Sequence, residues 1–355
     1  MADIKITLAD TRKPIPDPDT LVFGKTFSDH MFLMNYDAGE GWHDARIVPY
    51  GPLSLEPSCM VFHYAQELFE GMKAYRTPGG KIQLFRPIEN ARRFNSSCER
   101  MCIPTIEEDF FVEAVKTLVS VEKDWVPHKV GASLYIRPFV FATDCSLGVH
   151  ASHSYLFAVI CCPVGSYYKE GINPVKIYVE TEDVRAVKGG TGYTKCGGNY
   201  AASIRAGERA AQNGYSQVLW LDGVHRKYVE EVGAMNVLFK VDGTVITPEL
   251  AGSVLPGITR KSCLELLRSW GIPVEERPIT ADELFEAAEN GKLEEAWGSG
   301  TAAVVSPIGQ LGMGDQHVTI NGGQIGETTQ RLYDTLTGIQ WGTVPDPFGW
   351  IVPVE

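Results

Sequence analysis

Residues 186–200 read AVKGGTGYTKCGGNY, with five glycines in the run. Glycine at this density costs conformational entropy and weakens helix or strand, so regular structure is interrupted here, and backbone is expected to approach another group closely. Lys195 stands in the middle of the run. The alanine-rich stretch after it, Asn199–Gln212, predicts a helix stopped by Asn213-Gly214. A lysine beside a helix N-terminus meets the positive end of the dipole, which favours the neutral amine. Such an amine can attack an aldehyde carbonyl and form a Schiff base. A phosphate-binding Walker A loop does not fit, because Thr194 rather than glycine precedes Lys195. A flexible surface loop with an ordinary lysine is the plain alternative.

The chain is long enough, at 355 residues and 44% apolar, to bury a large core in two domains or one large one. Its 32 Lys+Arg against 44 Asp+Glu leave a net charge of -12. That balance argues against a general nucleic-acid or anionic-membrane binder, which needs clustered cations. The start, MADIKITLAD, lacks the basic and apolar regions of a secretory signal, and no apolar run is long enough to span a bilayer. Eight cysteines without a CxxC pair suggest neither a disulfide framework nor a zinc site. A reduced cytoplasmic protein is the expectation.

Pattern reading gives an extended proline-containing N-terminal arm, a strand at 82–85, and a helix opened by Pro87 with Ala91, Phe94, Cys98 and Met101 on one face. A second helix is expected from a Thr105/Glu108 capping box. Strands follow at 133–142 and 155–162. The Pro/Gly-rich stretch from Cys161 to Pro174 reads as a linker. The expected domains are therefore 1–163 and 175–355, joined by 164–174. Beyond them come a strand at 175–180, an antiparallel meander over 217–247 with two Asp-Gly turns, a helix after Pro256-Gly257, one capped by Thr280 and Glu283, and a last helix over 324–336. Helices and strands mix without strict βαβ alternation, so the fold class is α+β, or mixed α/β, rather than Rossmann or TIM.

A phosphate-bearing aldehyde cofactor would need an anion cradle. Two loops qualify: Leu255-Pro-Gly-Ile-Thr-Arg260, which opens a helix, and Gly298-Ser-Gly-Thr301. Arg86, before Pro87, is a third candidate. A pyridine ring also needs an anion at its nitrogen, and Glu231 is the candidate; a solvated glutamate is the plainer reading for it and for Glu230, which should face the other way. Tyr135 and Arg137 share a strand face, and Pro138 marks that strand as an edge or bulge. Phe23, Tyr64, Phe69, Tyr167 and Trp341 could line an apolar pocket or simply fill core. His150 and His153 lack acidic or cysteine companions at ligand spacing, so no metal site is expected.

Taken together, FEGMKAYR (69–76), LFRP (84–87), CERMCIP (98–104), LYIRP (134–138), SLGV (146–149), KCGGNY (195–200), EVGAMN (231–236), LPGITR (255–260) and GSGTAA (298–303) resemble the branched-chain amino-acid aminotransferases of class IV. The resemblance implies a two-domain fold type IV enzyme, with a smaller N-terminal open α/β domain and a larger C-terminal pseudo-barrel. It implies pyridoxal 5′-phosphate, with Lys195 as the Schiff-base lysine and proton carrier, Tyr200 on the phenolic oxygen, and Glu231 on the ring nitrogen. It places Arg86, Ile258, Thr259 and Thr301 on the phosphate, and backbone groups of Thr301 and Ala302 on the substrate carboxylate. The side-chain pocket it implies consists of Phe23, Phe69, Tyr135, Arg137 and Tyr167, with Tyr64, Leu147 and Val149 from the second subunit of a homodimer.

The reaction expected is ping-pong exchange between Leu, Ile or Val and 2-oxoglutarate, which yields 2-oxo acids and glutamate. A D-amino-acid transaminase, an aminodeoxychorismate lyase and a non-catalytic binding protein on the same scaffold are the alternatives. Ala234 and Leu238 depart from the family pattern. Ala303 and Ser306 replace the CxxC pair of mammalian relatives, so no redox switch is expected there.

Overall fold

The computed structural model describes residues 3–167 and 172–354. The described chain divides into two units: 3–167, Thr194–Gly197 and 338–354 form the first, and 172–193 with Gly198–Thr337 form the second. The boundary falls inside the stretch read as a linker, of which 168–171 lie outside the described residues. Two features differ from a simple N-terminal/C-terminal division. The C-terminal segment belongs to the first unit, which takes more of the chain than the second, and so does the short piece carrying Lys195.

In the first unit, strands β1 (Lys5–Ile6), β2 (His30–Asp37), β3 (Gly41–Pro49), β4 (Glu67–Phe69), β5 (Met72–Arg76), β6 (Ile82–Phe85), β7 (Ser133–Ala142) and β8 (Ser154–Val164) join a C-terminal strand, Ile351–Pro353, in one sheet. Its order is β1-β3-β2-β8-β7-β5-β6 and then the C-terminal strand, with β4 also on β7. Helix α1 (Val61–Tyr64) is a single turn. Helix α2 (Pro87–Arg100) starts on Pro87, whose missing N–H is not needed at that position. It buries Ala91, Phe94 and Cys98, while α3 (Glu108–Val121) buries Phe111, Val115 and Leu118 in the same core as Phe32, Leu134 and Phe157.

Helix α3 begins at Glu108 with Glu107 as an unbonded cap, so the Thr105/Glu108 box does not form. Asn95 explains this: its side chain bonds both the N–H and the carbonyl of Ile106, at 3.0 and 2.7 Å, and holds the chain extended there. Pro138 does not mark an edge either, since β7 lies between β8 and β5/β4. Its missing N–H falls opposite the break between β4 and β5, where its carbonyl accepts from Glu70 at 2.7 Å.

In the second unit, β9 (Val175–Glu180), β10 (Gln217–Leu221), β11 (Val229–Val232), β12 (Met235–Val241), β13 (Thr244–Thr247), β14 (Val274–Glu276), β15 (Leu293–Gly300), β16 (Val304–Met313) and β17 (Gln316–Thr319) form a second sheet. The order β11-β10-β9-β16-β15-β12, closed by a β11–β12 pairing, makes a six-stranded ring. This is the pseudo-barrel that the resemblance implies. Ile177, Leu219, Val237, Phe239 and Leu311 fill its apolar cluster with Leu284.

The meander over 217–247 is present. Asp242 and Gly243 both have positive φ, 51° and 79°, as a two-residue hairpin turn requires. Asp222 instead organises a wider turn, its carboxylate accepting from the N–H groups of Val224, His225, Lys227 and Tyr228.

The expected single helix after Lys195 is two, α4 (Gly197–Ala201) and α5 (Ile204–Gln212). At the break the Ser203 hydroxyl bonds the Tyr200 carbonyl at 2.7 Å and competes with the helical ladder. Helix α6 (Ile258–Ser269) and helix α7 (Ala281–Glu289), capped by Thr280, lie where expected. The last helix, α8 (Glu327–Trp341), begins later because the buried Glu295 carboxylate caps the N–H groups of Thr328 and Thr329. Among the described residues no helix is long and apolar enough to cross a membrane.

Candidate active site

Phe69, on β4, organises the chemistry of the first unit. Its N–H bonds the Lys195 carbonyl at 2.9 Å, and its ring lies under both the Lys195 amine, at 5.1 Å, and the Arg137 guanidinium, at 4.4 Å. Strand β7 puts Tyr135 and Arg137 on one face, and Arg137 donates to the Tyr135 hydroxyl at 3.1 Å. Phe23 stands edge-on to Tyr135 with centroids 4.9 Å apart. Gly71 must be glycine here, because a Cβ would collide with the Tyr135 hydroxyl. Arg137 Nε is buried without a hydrogen-bond partner, so it can serve an incoming anion.

Desolvation, followed by the nearby charge of Arg93, holds the Lys195 amine at about 8. Its backbone is fixed by the Ser97 hydroxyl at 3.2 Å, and two residues on, the Gly197 N–H donates to Glu67. Behind it lies a buried ion pair that the sequence reading missed. Glu70, fully buried, accepts from Arg93 at 2.7 and 2.8 Å and from Asn90 at 2.7 Å. Burial alone would raise the Glu70 carboxyl, but Arg93, Lys195 and Asn90 outweigh it and hold it below its usual value. The available signal was a polar stripe, Asn90, Arg93 and Ser97, running at helical spacing beside the apolar face of α2.

Arg86 is buried at the start of α2, and its guanidinium stacks on Trp350 at 5.0 Å. The Tyr64 hydroxyl donates to the Leu147 carbonyl, while the Leu147 and Val149 side chains and Tyr167 are exposed. Trp341 is core, bonded to the Ala132 carbonyl. His150 and His153 do have an acidic companion, Asp144, with three potential ligand atoms within 4.8 Å of one another. Chain spacing hid it, because the loop folds back on itself.

In the second unit, Glu230 and Glu231 are both buried rather than solvated. Burial pushes the Glu230 carboxyl up, and the Ser253 hydroxyl donates to it. Glu231 faces Arg185, 3.4 Å away, whose other nitrogens bond the Ser253 and Gly192 carbonyls. Arg185 was missed in the sequence, where only its position just before the glycine-rich run hinted at it.

Register places Glu231, Asn236 and Ser299 in one row across β11, β12 and β15. Glu231 accepts from the Leu255 N–H at 2.7 Å, and Asn236 donates to the Leu255 carbonyl at 2.8 Å. This row therefore aims the chain into α6. At its mouth Gly257 caps the helix without a side chain, since a Cβ would strike Asn236. The first turn, with Ile258 and buried Thr259, carries no acidic residue, which is the pattern of an anion site.

Tyr200 lies in α4. Gly298–Gly300 belong to β15, so the second small-residue loop shrinks to Thr301, Ala302 and Ala303. The next residue, Val304, has a φ of 62°, a strained conformation for a β-branched residue and of the kind that gathers at functional sites.

Residues 67–311 match the amino-transferase class IV family. A branched-chain-amino-acid aminotransferase 2 of Bacillus subtilis is 55% identical over 99% of this chain and 97% of its own length. The Escherichia coli branched-chain amino acid aminotransferase structure superposes with a TM-score of 0.75 at 25% identity, covering 92% of this chain and 99% of that one. The T.th. branched-chain amino acid aminotransferase, complexed with N-(5′-phosphopyridoxyl)-L-glutamate, gives 0.72 at 26% identity, covering 91% and 98%.

Proposed function

The chain belongs to the class IV aminotransferases, and we propose that it moves the amino group between L-leucine, L-isoleucine or L-valine and 2-oxoglutarate, with pyridoxal 5′-phosphate, as a cytoplasmic homodimer. The observation that carries this reading is the half-buried Lys195, its amine held at about 8 above Phe69 and near Arg137.

The residues present fit the cofactor. The uncapped N-terminus of α6, with Ile258 and Thr259, suits its phosphate, as do Arg86 and Thr301. Glu231, oriented by Arg185 and the Leu255 N–H, suits its ring nitrogen, and Tyr200 its phenolic oxygen. Once bound, the cofactor supplies an electron sink for the carbanion at the substrate Cα.

Lys195 would hold the cofactor through its amine, and the same amine, when free, would take the proton from the substrate Cα. Thr301 and Ala302 hold the α-carboxylate. Phe23, Phe69 and Tyr135 enclose an aliphatic side chain, and Arg137 pairs with the distal carboxylate when the substrate is glutamate. The exposed Leu147, Val149 and Tyr167 supply apolar surface; Leu147 and Val149, with Tyr64, serve the pocket of a second subunit.

Transamination of L-leucine with 2-oxoglutarate tests the whole reading, and turnover of D-alanine alone would overturn it. Arg137→Ala is expected to lower kcat/KM for glutamate about 10–100-fold, the worth of one charge-assisted hydrogen bond, and that for leucine only a few-fold. Equal losses on both substrates would remove Arg137 from carboxylate recognition.

The lowered Lys195 value also sets a pH dependence. The neutral amine is the nucleophile, so cofactor capture by the cofactor-free protein should rise about tenfold per pH unit below pH 8 and level off above it. A rise that continued past pH 10 would mean an ordinary lysine.

A further inference from the structure

All eight cysteines are free, and only Cys102 and Cys145 are exposed. Cys145 lies in the connection from β7 to β8, while Cys59 lies just before α1 and is buried. The two are partners in an isolated antiparallel bridge. The Met60 N–H donates to the Asp144 carbonyl at 2.8 Å, so the ladder bond flanks this pair rather than joining its members. Cys59 and Cys145 are therefore a non-hydrogen-bonded pair, in which Cα atoms lie about 4.5 Å apart and the side chains share one face. A disulfide spans Cα separations of roughly 4.4–6.8 Å, so the backbone already stands within bonding range.

We infer that Cys59 and Cys145 form a reversible dithiol–disulfide site, oxidised by exchange with a low-molecular-weight disulfide such as glutathione disulfide. The two thiols have distinct roles. Cys145, open to solvent, attacks first: its thiolate bonds one sulfur of the oxidant and expels one glutathione thiolate. Cys59 then attacks the Cys145 sulfur, forms the protein disulfide and expels the second glutathione thiolate. The two protein thiols are oxidised, one glutathione disulfide is reduced, and both thiol protons end on the glutathiones.

Burial, and then the neighbouring Cys145 and Asp144, push the Cys59 thiol up, which suits a resolving rather than an attacking group. The bond would fasten two segments that already touch. Tyr64, in α1, donates to the Leu147 carbonyl, and Asp144 accepts from the N–H and ring of His153 at 2.7 and 2.9 Å.

The test is incubation of the purified, cofactor-loaded protein with glutathione disulfide, quenching by alkylation, and a non-reducing peptide map. The expected result is a peptide linking Cys59 to Cys145, with loss of two of the eight thiols, full reversal by dithiothreitol, and no linked peptide in Cys145→Ser. Because Cys145 is exposed, that variant should keep the parent melting temperature, which separates loss of the site from loss of the fold. Stable glutathionylation of Cys145 without onward linkage would overturn the proposal, as would a bond between Cys145 residues of two chains or linkage of Cys98 to Cys102 instead.

Discussion

Lys195→Ala is expected to lower leucine–2-oxoglutarate turnover by at least about a thousandfold. Loss of a positioned proton-transfer group alone is worth roughly 10²–10⁴, and loss of the covalent attachment adds to it. Two lysines in the first unit are held at about 8 by burial, Lys195 and Lys73, so a lowered value does not by itself choose between them. Their surroundings differ. Lys195 interrupts a glycine-rich run, lies over Phe69, and feels Arg93, Glu70, Tyr135 and Arg137. Lys73 lies within β5, and desolvation alone accounts for its shift. Borohydride reduction of the loaded protein followed by peptide mapping should place the pyridoxyl group on Lys195. A label on Lys73, or an alanine variant retaining a tenth of parent activity, would end the assignment.

What the chain disclosed about itself follows a physical division. Strands and helices whose signal is local were readable: the 133–142 strand from its aromatic and β-branched content, α2 from Pro87 and its apolar period, and α7 from Thr280 and Glu283. Errors fell where distant side chains decide the outcome. Asn95 pins Ile106 and delays α3, Glu295 caps α8, and the β4/β5 break accommodates Pro138 inside a sheet.

The site shows the same division. Composition and spacing single out Lys195 and the α6 N-terminus as candidates, whereas by composition Glu231 reads as a solvated glutamate and only the family resemblance gives it a role. Arg185, Glu70 and Arg93 are ordinary charges in sequence, and become distinctive only when burial brings each against its partner.

The Glu70–Arg93 pair yields the second large expectation. Arg93→Met would leave a fully buried carboxylate supported by Asn90 and the Gly71 N–H, at 2.7 and 3.1 Å, and by the charge of Lys195, without its bidentate partner. Breaking a buried pair on one side costs about 3–5 kcal/mol, which corresponds to a fall in melting temperature on the order of 10 °C.

The pH dependence should change sign. In the parent, Glu70 is held below its ordinary value, so its contribution is present above the unfolded-chain pKa and is lost as pH falls through the folded value. Without Arg93, burial dominates and raises Glu70. The variant is then most nearly stable in acid and loses ground as pH rises through the raised value. Glu70→Gln added to Arg93→Met should recover much of the loss, because removing both charges eliminates the stranded ion.

The same charges act on Lys195 in opposite directions. Arg93 lowers its amine and Glu70 raises it. The midpoint of cofactor capture should therefore move to higher pH in Arg93→Met and to lower pH in Glu70→Gln. Thermal unfolding at pH 5 and pH 8, with capture rates on the same three variants, checks both effects. A melting point within a degree of the parent for Arg93→Met, or capture midpoints that do not separate, would show that the pair neither supports the fold nor tunes the lysine.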